Sequence, residues 1–124
     1  MKLAFVFPGQ GSQAVGMLAD LAAQYPIVGE TFTEASDQLG FNLWQMVSEG
    51  PKESLNQTIN TQPAMLTAGV ATWRVWQQQN GLEPSVMAGH SLGEYAALVC
   101  SGALDFSEAV KLVAERGRLM QEAV

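Results

Sequence analysis

One cysteine, one histidine and six basic residues are all that the 124 positions hold of the side chains from which disulfides, Cys/His zinc sites and nucleic-acid grips are built. A lone Cys100 excludes an internal disulfide. The six cations, Lys2, Lys52, Arg74, Lys111, Arg116 and Arg118, are scattered, so none of them joins a cluster that neutralises successive phosphates, and nucleic acid is not an expected partner. Long apolar runs are missing too. Nothing approaches the ~18 consecutive apolar residues that cross a bilayer. Met1-Lys2 followed by Leu3 to Phe7 begins like an export signal, but its apolar run ends after five residues at Pro8-Gly9. The expectation is a soluble, cytoplasmic protein with no membrane partner and no metal.

What remains is globular in character. With 48% hydrophobic and 15% charged residues the chain is far from the charge-rich profile of disorder, and its length suits a single core. The net charge of -6 makes the surface acidic, so an acidic protein partner would need a local basic patch to dock.

Leu3-Ala4-Phe5-Val6-Phe7 is a continuous apolar run and is expected as a buried strand. The loop after it, Gly9-Gln10-Gly11-Ser12-Gln13, sets two glycines among polar residues at a strand end, where open α/β sheets place their ligands. Pro26 predicts the start of a helix that runs to about Leu39, with Gly40 as its stop. Trp44 to Asn60 is expected as short turns. A further helix is predicted from near Pro63 to Gln79, before Asn80-Gly81. Ser85 to Ala88 is expected as a second strand, and Ser91 to Cys100 as an interior helix that is apolar nearly all round. Asp105 with Glu108 three residues on marks the cap of a last helix. Trp44, Trp73, Trp76, Met65, Met87 and Cys100 are expected in the core.

Gly89-His90-Ser91-Leu92-Gly93 fits the Gly-x-Ser-x-Gly pattern, and it lies between a predicted strand and a predicted helix. Five residues with two glycines also arise by chance; the strand-to-helix context is what gives the pattern meaning. Such a turn strains the serine backbone and leaves room only for glycine two residues to either side, while the helix start offers free N–H groups. Ser91 is then a candidate nucleophile, with the backbone N–H of Leu92 aimed at the developing oxyanion and a second donor expected from the loop carrying Gln10. His90, as the only histidine, is the general base by composition. Its position argues otherwise, because adjacent side chains at a tight turn diverge; a supporting role beside the serine is expected.

On a helical projection, Leu112, Val113, Leu119 and Met120 share one face of the last helix, and Arg116 falls near the middle of that stripe while Arg118 lies opposite. A guanidinium cannot shed its proton, so burying it calls for an anion, and its planar fork suits a carboxylate. Glu94 or Glu115 would serve as a structural mate. Alternatively the carboxylate belongs to the substrate, and the acyl group handled at Ser91 carries its own negative charge.

These segments together resemble the bacterial malonyl-CoA:acyl carrier protein transacylases, the acyltransferase family of fatty-acid synthesis. The resemblance rests on Phe7-Pro8-Gly9-Gln10-Gly11-Ser12-Gln13, Thr61-Gln62-Pro63-Ala64, Gly89-His90-Ser91-Leu92-Gly93-Glu94-Tyr95 and Glu115-Arg116-Gly117, in the family's order along nearly the whole chain. It implies an α/β fold in which residues 1–124 form the N-terminal part of a large, hydrolase-like catalytic subdomain, a short parallel sheet flanked by helices. It also implies a ping-pong reaction in which Ser91 takes malonyl from malonyl-CoA and passes it to the phosphopantetheine thiol of acyl carrier protein. Gln10 and Leu92 N–H groups would form the oxyanion hole, Arg116 would hold the malonyl carboxylate, and no cofactor would be permanently bound. Family members are much longer, and both their small ferredoxin-like subdomain and their catalytic histidine correspond to positions beyond Val124. Little or no transacylase activity is therefore expected of these residues alone. Two other readings stay open: an esterase or thioesterase of α/β-hydrolase type, using the same elbow but releasing the acyl group to water, and a non-catalytic module that completes its sheet with another chain.

Overall fold

The computed structural model describes residues 3–123. Two short strands, β1 (Ala4–Phe7) and β2 (Val86–Gly89), pair in parallel, with Phe7 opposite Gly89 at their carboxyl ends. Between them the chain makes α1 (Ala19–Gln24), α2 (Pro26–Leu39), α3 (Leu43–Glu49), α4 (Lys52–Leu55) and α5 (Thr58–Gln78). After β2 come α6 (Gly93–Cys100) and α7 (Phe106–Glu122). The result is the expected α/β arrangement of a short parallel sheet against helices.

Helix α5 is the axis of the core. Every residue from Thr61 to Ala68 is buried, and α2, α6 and α7 all pack on it. Phe5 meets the rings of Trp73 and Trp76 edge-on at 5.1 and 5.4 Å, which seats β1 against the C-terminal half of α5. Met65 and Trp73 are buried as expected, whereas Trp44, Trp76, Met87 and Cys100 are only partly so. On α2, Arg74 reaches across from α5 to pair with Glu34 and to donate to Thr31 Oγ1 at 3.0 Å.

Local rules hold where the signal is local. Gly40 ends α2 with φ 82°, in the left-handed region that glycine enters without steric cost. Asp105 caps α7 by accepting from the Glu108 N–H at 3.1 Å.

Helix α6 is not interior all round: only Gly93, Ala96 and Ala97 are buried, while Glu94 and Leu98 are exposed. Four further expectations need correction. Strand β1 is not buried on both faces: Phe7 is, but Val6 is 73% exposed, because among the described residues nothing packs on the face it shares with Ala4, Val86 and Ala88. Residues 44–60 are not mere turns; Asn42 accepts from the Gln45 N–H and so starts α3, whose Leu43 and Val47, one helical turn apart, are both buried. Helix α5 begins at Thr58 and carries Pro63 inside it. A proline there leaves the Ile59 carbonyl without its helical donor, and the turn is held from outside, by Gln121 of α7 accepting from the Ile59 N–H at 3.2 Å. Finally, the buried face of α7 is Phe106, Ala109, Val110, Val113 and Gly117, while Leu112, Leu119 and Met120 are exposed. Arg116 thus sits at the border of the buried face and not in the middle of a covered stripe.

Candidate active site

The turn from β2 into α6 has the geometry of a serine elbow. Ser91 has φ 55°, a left-handed backbone that a β-carbon makes unfavourable by about 1–2 kcal/mol. Both glycines are sterically required. A Cβ on Gly89 would lie 2.0 Å from the carbonyl carbon and oxygen of Gly93, and one on Gly93 would lie 2.1 Å from the carbonyl oxygen of Phe7. Helix α6 therefore starts directly over the end of β1, which puts Ser91 at the carboxyl edge of the sheet, next to the loop that leaves β1. The approach of that loop is close: a Cβ on Gly9 would come within 3.0 Å of the His90 carbonyl oxygen.

The N–H groups here divide into used and free. Gly93 and Glu94 donate to the carbonyls of His90 and Ser91 at 3.0 and 3.1 Å, whereas among the described residues the N–H groups of Leu92 and Gln10 donate to no backbone carbonyl. Leu92 itself is buried, so its side chain anchors the helix start while its amide lies at the positive end of α6.

Arg116 comes to this elbow from α7. Its Nη2 donates to Ser91 Oγ at 3.0 Å, its Nη1 donates to Gln62 Oε1, and its guanidinium lies 5.7 Å from the centre of the Tyr95 ring. Gly117 permits the approach, because a Cβ there would stand 2.9 Å from the Thr58 carbonyl oxygen and 3.0 Å from Ile59 Cα. The structural mates considered for Arg116 are otherwise placed. Glu115 pairs with Arg118, Glu94 is exposed, and among the described residues no carboxylate forms an ion pair with Arg116. A half-buried guanidinium bonded only to neutral oxygens is left with an unbalanced charge facing the serine.

The sequence-predicted residues Ser91, Leu92, Gln10 and Arg116 are thus brought together. His90 is exposed, and among the described residues it makes no hydrogen bond with Ser91. The partner that Ser91 Oγ does have, a guanidinium, is a donor and takes no proton. Cys100, at the far end of α6, is no rival nucleophile: burial pushes its thiol up to about 12, so its thiolate is scarce at neutral pH.

Sequence reasoning missed the part played by Gln62. It is 1% exposed and stands between the two halves of the site, accepting from Arg116 and donating from Nε2 to Gln10 Oε1 at 3.0 Å. Gln10 in turn donates to Thr58 Oγ1 at 3.1 Å. The available signal was a glutamine inside a helix whose neighbours are all buried, which demands polar partners from elsewhere in the chain.

Comparison with known proteins agrees with this geometry. The chain is 67% identical over 123 residues to the malonyl CoA-acyl carrier protein transacylase of Escherichia coli (strain K12), covering 99% of this chain and 40% of that protein. It superposes on the crystal structure of an acyl carrier protein S-malonyltransferase from Vibrio cholerae with a TM-score of 0.98 at 65% identity, covering all of this chain and 40% of that one. A malonyl-transacylase in complex with a type II PKS acyl-carrier protein matches with the same TM-score at 63% identity, again over 100% of this chain and 40% of that one. The chain therefore spans about 40% of the length of these relatives. The sequence model of the acyl transferase domain matches residues 4–124. From β1 to the end of α7, through the elbow and the helix that brings Arg116 to it, the chain belongs to the acyl transferase domain family.

Proposed function

We propose that residues 1–124 are the N-terminal part of the large catalytic subdomain of a malonyl-CoA:acyl carrier protein transacylase, a cytoplasmic enzyme of fatty-acid biosynthesis with no permanently bound cofactor. The observation that carries the reading is the guanidinium of Arg116, without a carboxylate partner among the described residues and 3.0 Å from Ser91 Oγ. A charge left unbalanced next to a nucleophile selects an acyl group that brings its own carboxylate.

In the first half-reaction Ser91 Oγ attacks the thioester carbonyl of malonyl-CoA. The N–H groups of Leu92 and Gln10 receive the oxyanion, the C–S bond breaks, and the serine proton ends on the coenzyme A thiol. In the second, the phosphopantetheine thiol of acyl carrier protein attacks the malonyl-serine ester, the acyl C–Oγ bond breaks, and the proton lost by the thiol returns to Ser91 Oγ. Arg116 holds the malonyl carboxylate through both halves, so the acyl group keeps one orientation while the donor and acceptor thiols exchange. Both halves need a proton acceptor at Ser91, and no such side chain contacts it among the described residues. On this reading no turnover is expected of residues 1–124 alone, and the family resemblance assigns the base to a histidine at positions corresponding to the remainder of the relatives.

The test is a calorimetric titration with malonyl-CoA and with acetyl-CoA. Tighter binding of malonyl-CoA by about tenfold or more is expected; equal affinities would remove the ground for a charged acyl substrate and favour a general esterase. Mass spectrometry of the malonyl-CoA mixture is expected to show no rapid stoichiometric ester on Ser91. Rapid acylation would mean that the base lies within these residues.

A further inference from the structure

Arg116 offers only donors, so the amide it touches on Gln62 must present its oxygen. With Oε1 committed to the guanidinium, Gln62 Nε2 faces the other way and needs an acceptor, which is Gln10 Oε1 at 3.0 Å. Gln10 is then turned as well, with Nε2 on Thr58 Oγ1 at 3.1 Å. The positive charge on α7 thereby sets the orientation of two successive amides, and the second belongs to the residue at the loop after β1 whose backbone N–H donates to no backbone carbonyl among the described residues. Because Gln62 is 1% exposed in the second turn of the core helix, water cannot take over either of its bonds without opening the packing.

We infer that Gln62 is a positioning residue that couples the carboxylate anchor to the oxyanion loop: it holds the Arg116 fork toward Ser91 and fixes the Gln10 loop in the same act. The inference rests on the functional reading above. It implies that the neutrality of Gln62 matters as much as its length. A glutamate in its place would give Arg116 the carboxylate mate that the site otherwise leaves to the substrate, and would turn its second oxygen against Gln10 Oε1. Gln10 can relieve that contact by rotating its amide, with the Thr58 hydroxyl then donating to its oxygen, so the variant has a way to remain folded.

The experiment titrates wild type, Gln62→Glu and Gln62→Met with malonyl-CoA and acetyl-CoA, with thermal unfolding as the control for structure. In Gln62→Glu the preference for malonyl-CoA is expected to fall about tenfold or more while acetyl-CoA affinity barely moves. In Gln62→Met, which keeps the length but neither hydrogen bond, a fall of about threefold is expected. Wild-type preference retained in both variants would overturn the inference, since a merely structural glutamine leaves charge selectivity untouched. Should the wild type itself show no preference, the functional reading is what fails. The coupling is then decided by the Nη1–H resonance of Arg116 in low-temperature nitrogen-15 spectra, since Nη1 is the donor to Gln62. Faster solvent exchange in Gln62→Met supports the inference, and an unchanged resonance overturns it.

Discussion

Two arginines stand two residues apart on α7 and live in different chemical worlds. Arg118 is on the outer surface, where its Nε donates to Glu115 Oε2 at 3.0 Å and its Nη1 to Glu122 Oε1 at 2.7 Å. Its charge is answered within one turn of its own helix. Arg116, about 200° away around the axis, has no carboxylate among the described residues and spends its donors on Ser91 and Gln62. The difference lies in where the charge is balanced. The surface guanidinium is neutralised by carboxylates of its own helix, while the one at the elbow is bonded to neutral oxygens, which on the function proposed above leaves its charge for an incoming group.

The sharpest way to break this comparison is to remove the unbalanced charge. Arg116→Ala should weaken malonyl-CoA binding by about 2 kcal/mol, roughly thirtyfold, the scale of a lost charge-assisted hydrogen-bond pair. Acetyl-CoA affinity should stay near its wild-type value, and tolerance for uncharged acyl groups should rise relative to malonyl. Arg116→Lys, keeping the charge without the fork, should fall between the two. Calorimetric titration checks all three, and an alanine variant with wild-type malonyl preference would place the carboxylate anchor elsewhere.

A smaller effect comes from pushing Arg116 back without removing it. Gly117→Ala sets a methyl 2.9 Å from the Thr58 carbonyl oxygen, 3.0 Å from Ile59 Cα and 3.1 Å from Gln62 Cγ. Two of these are backbone atoms of the core helix, so α7 must retreat. Overpacking costs about 1–3 kcal/mol, and the better helix propensity of alanine offsets about 1 kcal/mol of it. A net loss of about 1 kcal/mol is expected in urea unfolding, together with a severalfold weaker malonyl preference. Loss of stability with selectivity intact would show that the guanidinium reaches Ser91 without this close approach.

The same helix shows how far sequence reasoning carries. The elbow was legible, because part of its steric logic is local: a Cβ on Gly89 would strike the Gly93 carbonyl across Ser91, although Gly93 itself is held to glycine by the distant Phe7 carbonyl. The caps at Gly40 and Asp105 were legible for the same reason. The odd position of Arg116 could be read from helical spacing, yet Leu112, Leu119 and Met120 on that stripe proved exposed, since spacing names a face without naming what covers it. The start of α5 was illegible. Its first turn is held by Gln121, sixty-two residues away, and no local pattern announces a contact at that separation. The role of Gln62 is illegible within its Thr61-Gln62-Pro63-Ala64 segment for the same reason, as both its partners, Gln10 and Arg116, lie more than fifty residues from it.

The smallest effect should come from the other arginine. Arg118→Ala removes contacts on a solvated surface, where side-chain entropy and screening consume most of an ion pair's gain, so malonyl preference should be unchanged. What remains is a faint pH signature. The hydrogen bond from Arg118 holds the Glu115 carboxyl below its ordinary range. A depressed folded pKa stabilises the fold when the group is ionised, so the contribution is complete at neutral pH and is lost as pH falls through the ordinary carboxylate range toward the folded value. Glu115→Gln should therefore lower the unfolding temperature slightly at about pH 7 and match wild type at about pH 2. About 1 M salt should also erase the difference at neutral pH, because exposed charges are screened within about 3 Å there. A difference surviving both acid and salt would mean that Glu115 acts through packing, and the contrast between the two arginines would then owe less to charge than to their places on the helix.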